Sequence, residues 1–470
     1  MNKAGCIAII IVVALSGSVF AQSPDSIKGA VGASSTDMLG RVGGDLNMGQ
    51  IDGDLFMTIN LDFSMDFGKI GFGVRVPLRL RLMDNDPQNE ESASVFRKED
   101  WDEFSDYLKI IRYFRYGRKG EFIYLIVGDL PGASLGHGTI VSHYYNNIDL
   151  DHYKMGLVFD LNTDYGGVET MINHMFYPTL FGGRAYVRPW SFIDSESYMN
   201  NLAVGFTTVS DAIAPYSLVP GVDPGTFEMD GGYPRVDEKK AATIMGGDIE
   251  FRVLNTSWLT MTPYMDLNGI LSGGIGYHAG ILSVFHIPVI SMDLSARIEY
   301  RYFTADYIPA YFNSYYEIQK FAYPFKNEAS GTETMLPKRQ VLEMLADQSD
   351  KNLNGYYAEL VFKVNEWFTI GASYDDYDGP FNSNLRMYLD VPAFEVVQFG
   401  CYYYKHNFEG ASEAFTFDDK SLFLVEARYQ ITSFLYVLGQ YWRIWQLDPE
   451  SGVYESVNDW SVGLGASYTF

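Results

Sequence analysis

The chain predicts an all-β fold, a single large antiparallel transmembrane β-barrel of about 18–20 strands. Three observations predict it. Apolar and polar residues alternate along segment after segment, and a strand turns successive side chains to opposite faces. Beyond residue 21 no apolar run approaches the length of about 18 residues that a membrane helix needs. Read as a meander, the connections also sort into short ones at one end and long ones at the other, the arrangement of short periplasmic turns and long outer loops.

Residues 1–21 read as a secretory signal peptide. Lys3 gives the positive start, Ile7 to Leu15 the apolar run, and Val19-Phe20-Ala21 the small-residue cleavage site. Residues 22–53 form an N-terminal segment with weak alternation, either a first strand or an arm. Residues 54–470 are assigned to the barrel.

Asp54–Phe67 carries Leu55, Met57, Ile59, Leu61, Phe63, Met65 and Phe67 on one parity. Gly68-Lys69 makes a tight turn, and Ile70 to Leu82 continues with Arg75, Arg79 and Arg81 on the polar parity. That turn sets Asp62 opposite Arg75. A long acidic loop, Met83–Asp106, follows. Leu108–Tyr116 and Glu121–Asp129 pair next. Leu130–Asn147, rich in glycine with His137 and His143, is either a loop folded into the lumen as a constriction, or an outer loop or extended strand end. Tyr153–Leu161, Val168–Phe176, Gly183–Trp190 and Leu202–Ser210 lead to a second long loop, Ser210–Lys240. Strands resume at Thr243–Leu254, Trp258–Leu267, Gly274–Phe285 and Ile290–Phe303. The longest loop, Thr304–Asn352, holds one helical segment, Lys338–Ala346. Seven strands close the chain: Tyr356–Val364, Trp367–Asp375, Leu385–Val391, Val396–Lys405, Leu422–Gln430, Phe434–Trp445 and Asp459–Phe470. Counting back from the last strand, an even total requires one strand before Asp54.

Composition fits this reading. Aromatics are 16% of the 470 residues, with 35 Tyr and 32 Phe, residues that favour a water–lipid boundary. A mean hydropathy of −0.07 is too polar for a bundle of membrane helices. A formal charge of −25 repels phosphate backbones and argues against a nucleic-acid partner. Cys401 is the one thiol beyond the signal, so no internal disulfide is available.

With this start, the alternating strands, the sorted loops and the terminal Tyr468-Thr469-Phe470, the chain resembles bacterial outer-membrane β-barrels as a class. The resemblance implies an outer-membrane location in contact with its lipid, and recognition of Phe470 by the barrel-assembly machinery. It implies a porin-like channel for passive diffusion of small polar solutes. The alternative is a non-conducting barrel that presents acidic surface loops for binding or adhesion.

If the apolar parity meets lipid, the polar parity lines the lumen. That places Asp62, Arg75, Arg79, Arg81, Asp293, Arg297, Glu299, Arg301, Glu426 and Arg428 on the pore wall. The row Arg75, Arg79, Arg81 has only some carboxylates beside it and is expected to face the pore. Lys154 and Arg252 are also placed inside. No catalytic residue, metal site or cofactor is expected. Ser142 and His143 are adjacent and would point to opposite faces of a strand, and Asp84-Asn85-Asp86 lacks the glycine turn and closing Glu of a calcium loop.

Overall fold

A computed structural model describes residues 17–18, 39–51, 54–84, 95–97, 100–101, 104–130, 132–147, 153–223, 225–230, 233–288, 291–327, 331, 333–348, 351–364, 367–394, 396–410, 412–418, 420–447 and 454–469. Its main sheet has 22 strands. Two of them, Gly17–Ser18 and Leu254–Asn255, are two-residue pieces alongside longer neighbours. The other 20 are the staves of one closed barrel.

The first stave, β1 (Leu39–Ile51), lies within the segment whose alternation is weak. It pairs antiparallel with β2 (Asp54–Phe67) on one side and with the last stave, β20 (Tyr454–Thr469), on the other. That second pairing closes the sheet and removes its edges. Between them run β3 (Ile70–Met83), β4 (Ile111–Tyr116), β5 (Ile123–Gly128), β6 (Gly156–Asn162), β7 (Gly166–Ile172), β8 (Leu180–Val187) and β9 (Leu202–Asp211). Then come β10 (Ala242–Phe251), β11 (Leu259–Ile270), β12 (Ile275–Ile287), β13 (Met292–Thr304), β14 (Asn352–Val364) and β15 (Phe368–Tyr377). The wall is completed by β16 (Ser383–Phe394), β17 (Val397–Phe408), β18 (Ser421–Gln430) and β19 (Leu435–Leu447).

The alternation resolves as expected. Leu46, Leu61, Ile298 and Leu464 are about half exposed or more on the outer wall, whereas Asp45, Asn60, Arg75, Glu299 and Ser461 are buried on the inner one. Among the described residues no helix is long and apolar enough to cross a membrane. Asp62 stands opposite Arg75, the register set by the Gly68-Lys69 turn, where Gly68 takes a φ of 56°.

The four longest connections, 84–110, 129–155, 212–241 and 305–351, all leave the same end of the barrel. The expected start of β4 at Leu108 is wrong. Phe104–Leu108 is a short helix, α1, and β4 begins at Ile111. The expected helix is present as Lys338–Gln348, here α3, after a single turn α2 at Tyr316–Gln319. The signal peptide lies outside the described residues except for Gly17–Ser18, and Phe470 lies outside them too.

Tyrosine and glycine are paired across the inner wall. Tyr264 faces Gly280, Tyr388 faces Gly371, Tyr436 faces Gly465, Tyr113 faces Gly73 and Tyr186 faces Gly167. In each pair a Cβ on the glycine would overlap the ring. The ring therefore lies along the wall in the slot left by a missing side chain.

Candidate functional site

The lumen contains two of the long loops. The Leu130–Asn147 segment runs from wall to wall, so the inward reading holds, and the reading as an outer loop or extended strand end is overturned. Its physical cause is a set of bonds to inward-facing side chains on both sides. On one side Gly136 N donates to Glu169 of β7 at 2.9 Å. His137 bridges Asp266 of β11 at 2.8 Å and Glu250 of β10 at 2.9 Å. Thr139 Oγ1 donates to Asp266 at 2.6 Å. On the other side His143 Nε2 is 2.9 Å from Arg386 of β16.

The second loop, 305–351, is zipped to the first. Val141 and Phe312 form a parallel bridge, with Phe312 N donating to Ile140 O at 3.2 Å and Ser142 N donating to Phe312 O at 3.1 Å. Glu317 of α2 is the hub between them. It accepts from Tyr144 at 2.5 Å, from Lys320 at 2.8 Å and from Lys154. Burial would raise the Glu317 carboxyl, but Lys154 and Lys320 hold it far below the usual carboxylate range. Lys338 at the start of α3 is fully buried among the rings of Tyr311, Tyr316 and Tyr323 and donates to Gln319 Oε1 at 2.7 Å. Two apolar clusters flank this assembly. One joins Leu130, Val141 and Tyr144 to Phe312, Val341 and Leu342. The other joins Phe56, Tyr315 and Ile318 to Tyr404 and Trp442.

His137 is held in its charged form. Burial by itself would lower its pKa, but the Asp266 and Glu250 carboxylates outweigh this and push it up to about 9.

The expected wall residues fall into paired groups. Arg75 meets Asp62 at 2.5 Å, Arg79 meets Asp100, and Arg81 meets Asp54 at 2.9 Å. The arginine row is therefore not an unbalanced strip of cations, because each member has a carboxylate, one of them supplied by the 84–110 loop. The described part of that loop is likewise not a solvated acidic surface: Asp100 and Asp106 are buried, beside Arg97 and Lys109. A second group centres on the fully buried Glu299. It accepts from Arg297 at 2.5 Å, Arg301 at 2.6 Å and Tyr264 at 2.5 Å, and Arg301 also reaches Asp375 at 3.3 Å. Glu426 and Arg428 pair at 3.2 Å. Asp293 stands apart at the short-turn rim, half exposed, against His286 at 2.7 Å. Lys154 and Arg252 are not on staves. Lys154 lies on the connection leading into β6 and binds Glu317, and Arg252 follows the end of β10.

The sequence reading missed Arg184, which binds Asp248 through two nitrogens at 2.6 and 2.9 Å and Glu169 at 3.1 Å. It missed Arg386, at 2.6 Å from Glu359, and Asp266. Parity along their strands would have placed all three inside. Ser142 and His143 also differ from expectation. His143 takes a φ of 51°, which turns its ring back, and Ser142 Oγ lies 3.0 Å from its Nδ1. Nε2 stands between a donor, Arg386, at 2.9 Å and an acceptor, the Glu359 carboxylate, at 3.2 Å, so its neighbours allow the ring proton on either nitrogen and the Ser142 contact in either direction. Burial and the Arg386 charge both keep His143 below its ordinary pKa, in accord with a neutral ring. Among the described residues no group of three or more His, Cys, Asp or Glu is placed to hold a metal ion.

A closed 20-stave antiparallel barrel with an apolar outer wall, a charged inner wall and inward-folded loops defines a large transmembrane β-barrel protein. No family model matches the chain, and no curated protein matches it. Among solved structures it is similar to Pseudomonas aeruginosa OccK10 (OpdN), with 9% identity and a TM-score of 0.32, over 92% of this chain and 99% of that one. P. aeruginosa OccK8 (OprE) gives 9% identity and a TM-score of 0.32, over 92% of this chain and 97% of that one. P. aeruginosa OpdO gives 12% and 0.32, over 92% and 96%.

Proposed function

We propose that this chain is a porin-like channel of the outer membrane, passing small hydrophilic solutes by diffusion through a lumen that its own loops narrow. One observation supports this above others. The inner wall carries ionised, hydrogen-bonded groups at successive levels, from Arg428–Glu426 and Arg75–Asp62 to Arg297–Glu299–Arg301, while the outer wall is apolar. Asp62, Arg75, Arg79, Arg81, Asp293, Arg297, Glu299, Arg301, Glu426 and Arg428 are the lining in this reading. Because cations and carboxylates alternate there, the wall filters by size and polarity more than by net charge. Phe470 as the signal for barrel assembly belongs to the same proposal.

A second reading has its own support. The apolar clusters around Tyr144, Phe312 and Tyr316 and around Phe56, Tyr404 and Trp442 fill the loop end of the lumen, as they would in a closed, non-conducting barrel. Planar bilayers separate the two. Purified full-length protein is expected to give stepwise ion conductance. Silence over repeated insertions, with conductance only after residues 132–146 are replaced by a short glycine linker, supports the closed barrel instead.

A further inference from the structure

Above β6 to β10, four connections enclose a cavity of about 410 Å³. It is separate from the wall groups assigned to the lumen. Tyr153 and Lys154 come from the first inward loop and Lys320 and Phe321 from the second. His174 and Tyr177 come from the 173–179 turn, and Tyr233, Arg235 and Lys239 from the 212–241 loop. Its lining is rich in hydrogen-bond donors.

Donor use makes the case. Glu317 lies behind the wall and takes one hydrogen bond from Lys154 and one from Lys320, leaving each ammonium further N–H groups. Arg235 uses one arm on the exposed Glu228 at 2.7 Å. Lys239 has no carboxylate within 4 Å among the described residues. His174 Nδ1 accepts from the backbone N–H groups of Phe176 and Tyr177 at 3.1 and 3.3 Å. With that nitrogen accepting, a neutral ring carries its proton on Nε2. Burial, and then Lys154, keep His174 below its ordinary pKa, so the neutral ring is the form present. Of the carboxylates in the lining, Asp211 takes Tyr316 Oη at 2.8 Å and Ile213 N at 3.1 Å, and Asp230 is exposed, so the cationic and N–H donors outnumber the acceptors left to them. Flat apolar surface lies beside the donors. Tyr233 stacks on Phe321 with ring centres 5.8 Å apart, and Lys154 sits over the Tyr233 face.

We infer that this cavity is a capture site for a small organic oxyanion, a carboxylate or phosphate monoester carried on a flat body. The oxyanion takes the free donors of Lys154, Lys239, Lys320 and His174, and the body lies against Tyr233 and Phe321. Binding here does not require that the barrel conduct. Its use as an antechamber rests on the channel reading, so the two are tested separately.

The test is isothermal calorimetry on the full-length barrel in detergent with benzoate, phenyl phosphate, benzyl alcohol and benzylamine. Benzoate or phenyl phosphate is expected to bind at least about tenfold more tightly than either of the others, with affinity falling as salt is raised. The relative strength of the two acids tells carboxylate from phosphate. A double variant, Arg235→Gln with Lys239→Gln, changes exposed side chains outside the Glu317 hub and is expected to weaken the acid by about tenfold. Equal binding of acid and alcohol overturns the proposal, as does preference for the amine, absence of binding by all four, or an unchanged double variant. Conductance recorded on the same preparation reports on the channel reading alone.

Discussion

At the scale of single residues, burial decides which charges matter. Glu299 is fully enclosed and shared by two arginines, a tyrosine and His278. Glu299→Gln removes the charge that both guanidiniums face and leaves Arg297 with only the cross-strand Glu359, outside ion-pair distance, as a carboxylate neighbour. Breaking a buried pair on one side costs about 3–5 kcal/mol. The variant is expected to unfold at clearly lower urea, read by the heat-modifiable shift on gels. Glu121→Gln is the control. Its partner Lys69 is 63% exposed, and surface pairs are worth less than about 1 kcal/mol, so its midpoint should hardly move. The sequence foretold the faces of Arg297, Glu299 and Arg301 from parity alone. It gave no view of their partners, because Tyr264 and Asp375 sit on other staves, at 35 and 76 residues' remove from Glu299. His143 shows the same limit more sharply: a local rule about strands failed because the backbone there is left-handed.

Elements carry the next prediction. The first inward loop is held on one wall by a protonated imidazole between two carboxylates, and the sign of its pH dependence follows. A histidine whose pKa is raised from about 6.5 to about 9 contributes its full stabilisation below the lower value and loses it as pH rises through about 9. Above that pH the loop loosens from Asp266 and Glu250. Single-channel current is expected to become larger or noisier between pH 8 and 10. His137→Asn cannot be charged, so it should remove that dependence and show the looser behaviour at neutral pH. A flat profile in the unaltered protein would contradict the clasp. The inward course of this loop was not legible beforehand. Its glycines, which permit the turns at Gly136 and Gly138, fit an outer loop as well as an inner one, and only the distant acids on β10 and β11 decide. Long staves, by contrast, were legible, since each repeats its pattern many times. Short ones such as β4 and β5 lost their boundaries because six residues give the alternation little to repeat.

For the whole molecule, the decisive property is which way the two parities face. On a Cys401→Ser background, single cysteines at Ile298 and Leu464 should react with a maleimide confined to the lipid phase. A cysteine at Ser461 should react only with a water-borne one. The reverse labelling would turn the barrel inside out. A count of 18–20 strands and the sorting of the four longest loops to one end were within reach of the sequence, because parity and loop length are global signals, whereas residues 22–53 read equally as a strand or an arm until β1 is seen to close against β20. The packing of the inward loops against one another was not within reach. It arises from contacts between segments as far apart as Tyr144 and Glu317, which no periodicity records.

The tyrosines lying in glycine slots set a condition on how this barrel can change over time. Enlarging Gly280, Gly371 or Gly465 alone would push a ring off the wall and into the bore, while shortening Tyr264, Tyr388 or Tyr436 alone would leave an empty slot. Neighbouring strands must therefore vary as partners. A descendant that keeps the same bore will exchange both members of a pair or neither, so the bore's width is inherited through pairs of positions and not through single sites.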